Sequence, residues 1–198
     1  MFRTAFLALA TAAVLPAAAM AQDIGQAIPY VGISGGYHQL EEIDASFLGG
    51  NNDISIDGFI FGGYAGVHLP VGESLIVGGE GNFNFGTGDI DNEYGLTAHV
   101  GTMIGRNSMM FVRGGYQWVD LDFDGLAEKT ADGFNFQGQD RQDFINAFNN
   151  SAGDDTAGDY LVGVGGEFGL GQSTAFRITV DTISFDTVRV GGGMTFRF

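Results

Sequence analysis

The sequence predicts an all-β chain, an eight-stranded antiparallel up-and-down transmembrane β-barrel. Three observations predict it: apolar and polar residues alternate with period 2 in eight segments, the connections between them are short and long by turns, and no apolar run after the first residues is long enough for a spanning helix. Composition agrees. Glycine is 34 of 198 residues, well above the ~7% of ordinary chains, with 3 prolines and no cysteine. There is neither a collagen period nor a Pro/Ser-rich tract, so the glycines belong to strands.

The first 21 residues form an expected export signal. Met1-Phe2-Arg3-Thr4 is a short basic start, Ala5 to Val14 is apolar, and Ala19-Met20-Ala21 is a small-residue cleavage pattern before Gln22. The apolar run is shorter than the ~20 residues a spanning helix needs. Residues 1–21 are thus expected to be a signal peptide and 22–198 the barrel domain. Without Arg3 the mature part has 7 basic and 24 acidic residues, a net charge of −17. Such a chain repels the phosphates of nucleic acid, which is excluded as a partner. With no disulfide available, an exported chain relies on backbone hydrogen bonding and packing.

The expected strands are 28–40, 54–69, 74–87, 93–104, 108–120, 158–170, 174–184 and 187–198. In the third, Leu75, Val77, Gly79, Gly81, Phe83 and Phe85 share one face, and Ile76, Gly78, Glu80, Asn82 and Asn84 the other. The eighth sets Val188, Val190, Gly192, Met194, Phe196 and Phe198 against Arg189, Gly191, Gly193, Thr195 and Arg197. A soluble lipocalin-like barrel would turn the apolar face inward; a membrane barrel turns it to lipid. The polar faces decide between them. They carry Glu80, Arg113, Glu167, Arg177, Asp181 and Arg189, both signs on different strands. Inside a narrow barrel these pair; facing lipid, each arginine near the midplane costs ~2–4 kcal/mol. Glycine doublets near mid-strand allow sharp bending and leave room for long inward side chains; the alternative reading of the outward glycines Gly79, Gly81, Gly114, Gly166 and Gly192 is a smooth lipid-facing patch for a partner barrel.

The connections 70–73, 105–108 and 171–173 are tight, whereas 41–53, 88–92 and 121–157 are longer. Short turns on one side and long loops on the other suit an outer-membrane barrel, with both termini periplasmic and 121–157 a long extracellular loop. Tyr37, Phe59, Phe61, Phe83, Phe85, Tyr94, Tyr116, Trp118 and Tyr160 lie towards the loop ends, and Phe168, Phe176, Phe196 and Phe198 towards the turn ends, as two aromatic belts would.

The ending Arg189-Val190-Gly191-Gly192-Gly193-Met194-Thr195-Phe196-Arg197-Phe198 resembles the terminal strand recognised by outer-membrane assembly machinery, with Gly191, Met194, Phe196 and Phe198 as its assembly signal. With the signal peptide and eight strands, the chain resembles the small OmpA/OmpX/opacity-type barrels, porin-family proteins of Gram-negative bacteria. The resemblance implies outer-membrane lipid, lipopolysaccharide and the assembly machinery as partners, with no cofactor.

Other motifs are less complete. Asp120, Asp122 and Asp124 start a calcium loop, D-x-D-x-D-G, but its twelfth position is Ala131 instead of the bidentate Glu. Gln139 to Asn150 has a helical pattern with Phe144, Ala147 and Phe148 on one side, a lid or a protein-partner face within loop 121–157. His38, His68 and His99 all fall on the inward set, none with a serine two residues on, and no nucleophile elbow or phosphate loop appears. The expectation is therefore not an enzyme. It is a structural and surface-interacting barrel closed by an internal ion-pair plug, its acidic loops contacting lipopolysaccharide or partners. The alternative is a small passive channel for water, ions or small solutes.

Overall fold

The computed structural model describes residues 25–43, 54–151 and 156–198. The signal peptide expected at 1–21 lies outside them, as does most of the 41–53 loop. Eight strands run in chain order, β1 (Ile28–Ile43), β2 (Ile54–Val71), β3 (Leu75–Gly86), β4 (Ile90–Ile104), β5 (Ser108–Leu121), β6 (Thr156–Gly169), β7 (Thr174–Ile183) and β8 (Thr187–Arg197). Each pairs antiparallel with its sequence neighbours, and β1 pairs with β8, which closes the barrel. Among the described residues no free sheet edge remains.

Parity sorts the side chains as the alternation requires. Val31, Ile33, Phe61, Val112, Val164 and Val190 stand exposed on the outer wall, while Glu80, Glu93, Glu167, Arg177, Asp181 and Arg189 are buried inside. The soluble, apolar-inside arrangement is the inverse of this and is excluded. Inside, Ile60, Ile90 and Val119 form a small apolar cluster towards the loop end, and Ile76, Met109 and Phe111 another towards the turn end.

Glycine placement follows a cross-strand rule. Gly32 opposes Tyr64, Gly66 opposes Tyr30, Gly78 opposes His99 and Gly163 opposes Asp181. A Cβ at any of the four would lie within 2.6 Å of the opposing side chain. An eight-stranded barrel has an interior just wide enough for side chains to fill, so each large inward group occupies the space of a missing one on its neighbour.

Outside, the expected upper belt is continuous from β1 to β6. Ring centroids lie 5.3 Å apart for Tyr37–Phe59, 5.8 Å for Phe61–Phe85, 6.3 Å for Phe83–Tyr94, 5.6 Å for Tyr94–Trp118 and 5.5 Å for Tyr116–Tyr160, one contact per neighbouring strand pair. At the turn end Phe168 and Phe176 are register partners, and both are exposed with Phe196 and Phe198.

One expectation is corrected. The 88–92 connection is not a long loop, because β4 begins at Ile90 and Gly88 turns the chain with φ +75°. Asp89 fastens this turn, accepting from the Asp57 N–H at 3.2 Å and from Lys129 Nζ at 2.9 Å. The long connection 121–157 carries regular structure of its own. It holds two helices, α1 (Phe123–Gly133) and the expected second helix α2 (Gly138–Ser151), packed through Ala127, Ala131 and Ile145. The α1 helix lacked an expectation because Asp122, Asp124 and Gly125 read as loop chemistry.

The glycine rule makes a paired prediction. Gly32→Ala drives its methyl into the Tyr64 ring and costs about 1–3 kcal/mol, whereas Gly79→Ala faces outward with nothing nearer than 3.8 Å and is near neutral. Urea unfolding of the two variants in the same micelle measures the difference.

Candidate functional site

The interior charges form one chain of alternating sign. Glu93 on β4 accepts from Arg189 on β8 at 2.9 Å and also meets His38 on β1. Arg189 reaches Asp181 on β7 at 3.1 Å, and Asp181 takes a two-pronged contact from Arg113 on β5 at 2.7 and 2.5 Å. Arg113 continues to Glu80 on β3 at 3.3 Å, and Glu80 pairs with Arg177. Arg177 then binds Glu167 on β6 at 2.5 Å, which also takes Arg197. Four carboxylates meet four guanidiniums, so the chain is electrically balanced.

The sequence positions explain the arrangement. Each of these residues has inward parity on its strand, and the barrel brings six strands around one axis. The partners are 8 to 97 residues apart in sequence, so closure assembles what no single segment contains. Uncharged neighbours finish the site. Tyr30 donates to Glu80 at 2.8 Å, and the Arg177 guanidinium lies 4.1 Å from the Tyr64 ring centroid and 5.1 Å from that of Tyr30. These aromatic faces attract a cation in a dry site. His68 and His99 share a 3.0 Å hydrogen bond, with the Tyr30 ring stacked on His68.

All six residues expected in the interior network, Glu80, Arg113, Glu167, Arg177, Asp181 and Arg189, are brought together. Glu93, Arg197, Tyr30 and Tyr64 were not assigned to it. Glu93 was legible: it stands six residues before His99, hence on the same inward face.

The expected calcium site does not assemble. Asp122 caps α1 by accepting from the Gly125 N–H at 3.0 Å, Asp120 accepts from the Thr156 hydroxyl at 2.7 Å, and Asp124 lies in the first turn of α1. A helix starts where the calcium loop would need to curl, which separates the three carboxylates. Among the described residues no group of three or more His, Cys, Asp or Glu is arranged to hold a metal ion.

One constellation has the order of a hydrolase triad. His38 touches Glu93 through Nδ1 and Thr187 Oγ1 through Nε2 at 3.3 Å. Its surroundings are structural: His38 and Glu93 are fully buried, Glu93 is shared with Arg189, and the Thr187 hydroxyl also donates to the Ile183 carbonyl. A cavity of about 50 Å³ lies in the interior beside Ser34, Asn82, Arg113, Arg177 and the β8 glycines. Its size and polar lining suit a few ordered waters.

Neither a family model nor a curated protein sequence matches the chain. Solved structures do. The N-terminal β-barrel domain of Pseudomonas aeruginosa OprF is similar with a TM-score of 0.51 and 11% identity, over 86% of this chain and 97% of that one. Ail of Yersinia pestis, crystallised with the heparin analogue sucrose octasulfate, has a TM-score of 0.47 at 13% identity, covering 86% and 99%. Neisserial surface protein A has 0.46 at 9% identity, covering 88% and 100%. The OprF likeness shows a shared barrel fold, as the strand order already indicates.

The shared anion at the centre of the chain is the sensitive point. Asp181→Asn leaves Arg113 and Arg189 without their common carboxylate and is expected to cost about 3 kcal/mol or more. Thermal unfolding followed by circular dichroism tests it, and a change below 1 kcal/mol on the order of an exposed pair would contradict the buried network.

Proposed function

We propose that this chain is a bacterial outer-membrane β-barrel with a structural and surface-interaction role, its interior closed by the ion-pair chain. The observation that carries this reading is the sorting of charge and hydrocarbon across one wall, with ionised groups buried on the axis and valine, isoleucine and phenylalanine exposed outside. Water does not favour such an outer surface; lipid does. The two aromatic belts fit the two membrane boundaries. The signal-like residues 1–21 supply the export route, and Gly191, Met194, Phe196 and Phe198 supply the handle for outer-membrane assembly machinery. Both termini are then periplasmic, and α1 and α2 face outward from the cell.

The interior reads as a plug because its charged chain is neutral and hydrogen-bonded and the cavity beside it is small, about 50 Å³. Its members have side-chain exposures of 8% or less except Arg197 at 13%. A hydrated ion would have to replace these pairs, each held by partners on other strands. Catalysis and cofactor chemistry have no part in this reading.

Contacts with the cell surface fall to the external helices. Residues 120–159 carry ten acidic residues against Lys129 and Arg141, which are engaged by Asp89 and Asp132. Such a surface meets anionic lipopolysaccharide through divalent cations, or a protein partner through the α1–α2 hairpin.

Two measurements test the reading. Planar-bilayer recordings are expected to be silent for the native barrel, with conductance appearing on Glu80→Ala; a stable native conductance makes the small passive channel the better description. Deleting residues 126–155 is expected to spare folding and abolish lipopolysaccharide or partner binding, and unchanged binding by the deleted form removes the surface role.

A further inference from the structure

The outer wall is not uniformly smooth. Along one level, Val100, Val112, Val164 and Val180 are register partners on β4, β5, β6 and β7, all exposed. The next level towards the turns reads Thr102, Met110, Gly166 and Ile178. Gly166 carries no side chain in that row between Met110 and Ile178, and the Phe168 ring lies 3.2 Å from where its Cβ would stand. The result is an open apolar groove of about 580 Å³ across β4 to β7, with Leu75 of β3 also in its lining. That volume is within the range of small-ligand sites.

A second observation lies at the foot of the same strands. Among the described residues, Arg106 is the one basic side chain without an acidic partner; Lys129, Arg113, Arg141, Arg177, Arg189 and Arg197 all have one. It is exposed in the tight β4–β5 turn, four residues from Thr102 and four from Met110, both of which line the groove. The turn is braced against the β6–β7 turn, where Asn107 Nδ2 donates to the Gly171 carbonyl at 3.1 Å. A groove for hydrocarbon and an unpaired cation thus lie one above the other on a single face, in a chain whose net charge is −16.

We infer that this face holds a glycerophospholipid of the adjoining leaflet, an acyl chain in the Gly166 groove and the anionic phosphodiester on Arg106. The inference rests on the membrane reading above and adds a specific lipid site to it. Hydrocarbon alone would not require Arg106, and a lone surface arginine would not require the groove. Their vertical order matches the order of tail and headgroup in a leaflet whose boundary is marked by Phe168 and Phe176.

The test is native mass spectrometry of the folded chain in detergent, titrated with dioleoyl phosphatidylglycerol. One retained lipid per barrel is expected. Arg106→Gln is expected to lower its affinity about fivefold, the loss of one cation at a membrane surface, while Arg106→Lys retains it. Gly166→Leu, which fills the groove from outside, is expected to abolish retention with the barrel's circular dichroism spectrum unchanged. Equal retention by wild type and Arg106→Gln overturns the inference, as does a second protein copy in place of the lipid. Arg106 stands in an exposed turn, so its variants decide the matter even if Gly166→Leu does not fold. Liposome flotation separates the two levels: failure to partition sinks the membrane reading, whereas partitioning without lipid retention sinks only this site.

Discussion

A buried charge in a narrow barrel has to find its opposite within the barrel. This constraint orders the rest of the molecule. Four guanidiniums and four carboxylates point to one axis, and leaving any of them unpaired there would cost several kcal/mol. Register is fixed as a consequence. A slip of one residue in β7 would turn Arg177 and Asp181 to the outer wall and Ile178 and Val180 to the axis, breaking four links of the chain. Backbone pairing holds the sheet; the charges select which of its registers is native.

Space is the companion constraint. Arginine, tyrosine and histidine side chains do not fit side by side in an eight-stranded barrel unless their neighbours yield room. The glycines do this by direct opposition, Gly32 under Tyr64 and Gly66 under Tyr30, which in turn frames the Arg177 guanidinium between the two rings. The glycine content and the ion-pair chain are thus one feature. On the outer face the same residue type lines the apolar groove, where Gly166 stands between Met110 and Ile178 under the Phe168 ring.

Much of the fold is legible in the sequence because alternation in a barrel is a strong code: side-chain parity alone places Glu80, Arg113, Glu167, Arg177, Asp181 and Arg189 inside. Parity also contained Glu93 and Arg197, but the first stood at a strand boundary and the second beside the terminal aromatic. Which carboxylate meets which arginine is a different matter. The partners of Arg177, for instance, are 10 and 97 residues away, and strand tilt, not sequence, decides that they converge. The α1 helix was obscured by local chemistry. Aspartates and a glycine favour loops and helix N-caps alike, and here Asp122 is a cap. The 88–92 turn was overestimated because the role of Asp89 depends on Asp57 and Lys129, both remote in sequence.

The orientation of the wall is the claim on which everything else stands, and the absence of cysteine makes it directly measurable. Single cysteines at Val112 and Val164 on the outer face, and at Thr97 and Thr179 on the inner face, would each carry a nitroxide in liposome-reconstituted barrel. The outer pair should relax with oxygen, which concentrates in hydrocarbon, and be insensitive to a water-soluble nickel complex, while the inner pair responds weakly to both. Strong oxygen relaxation at Thr97 and Thr179, or nickel relaxation at Val112 and Val164, would contradict it.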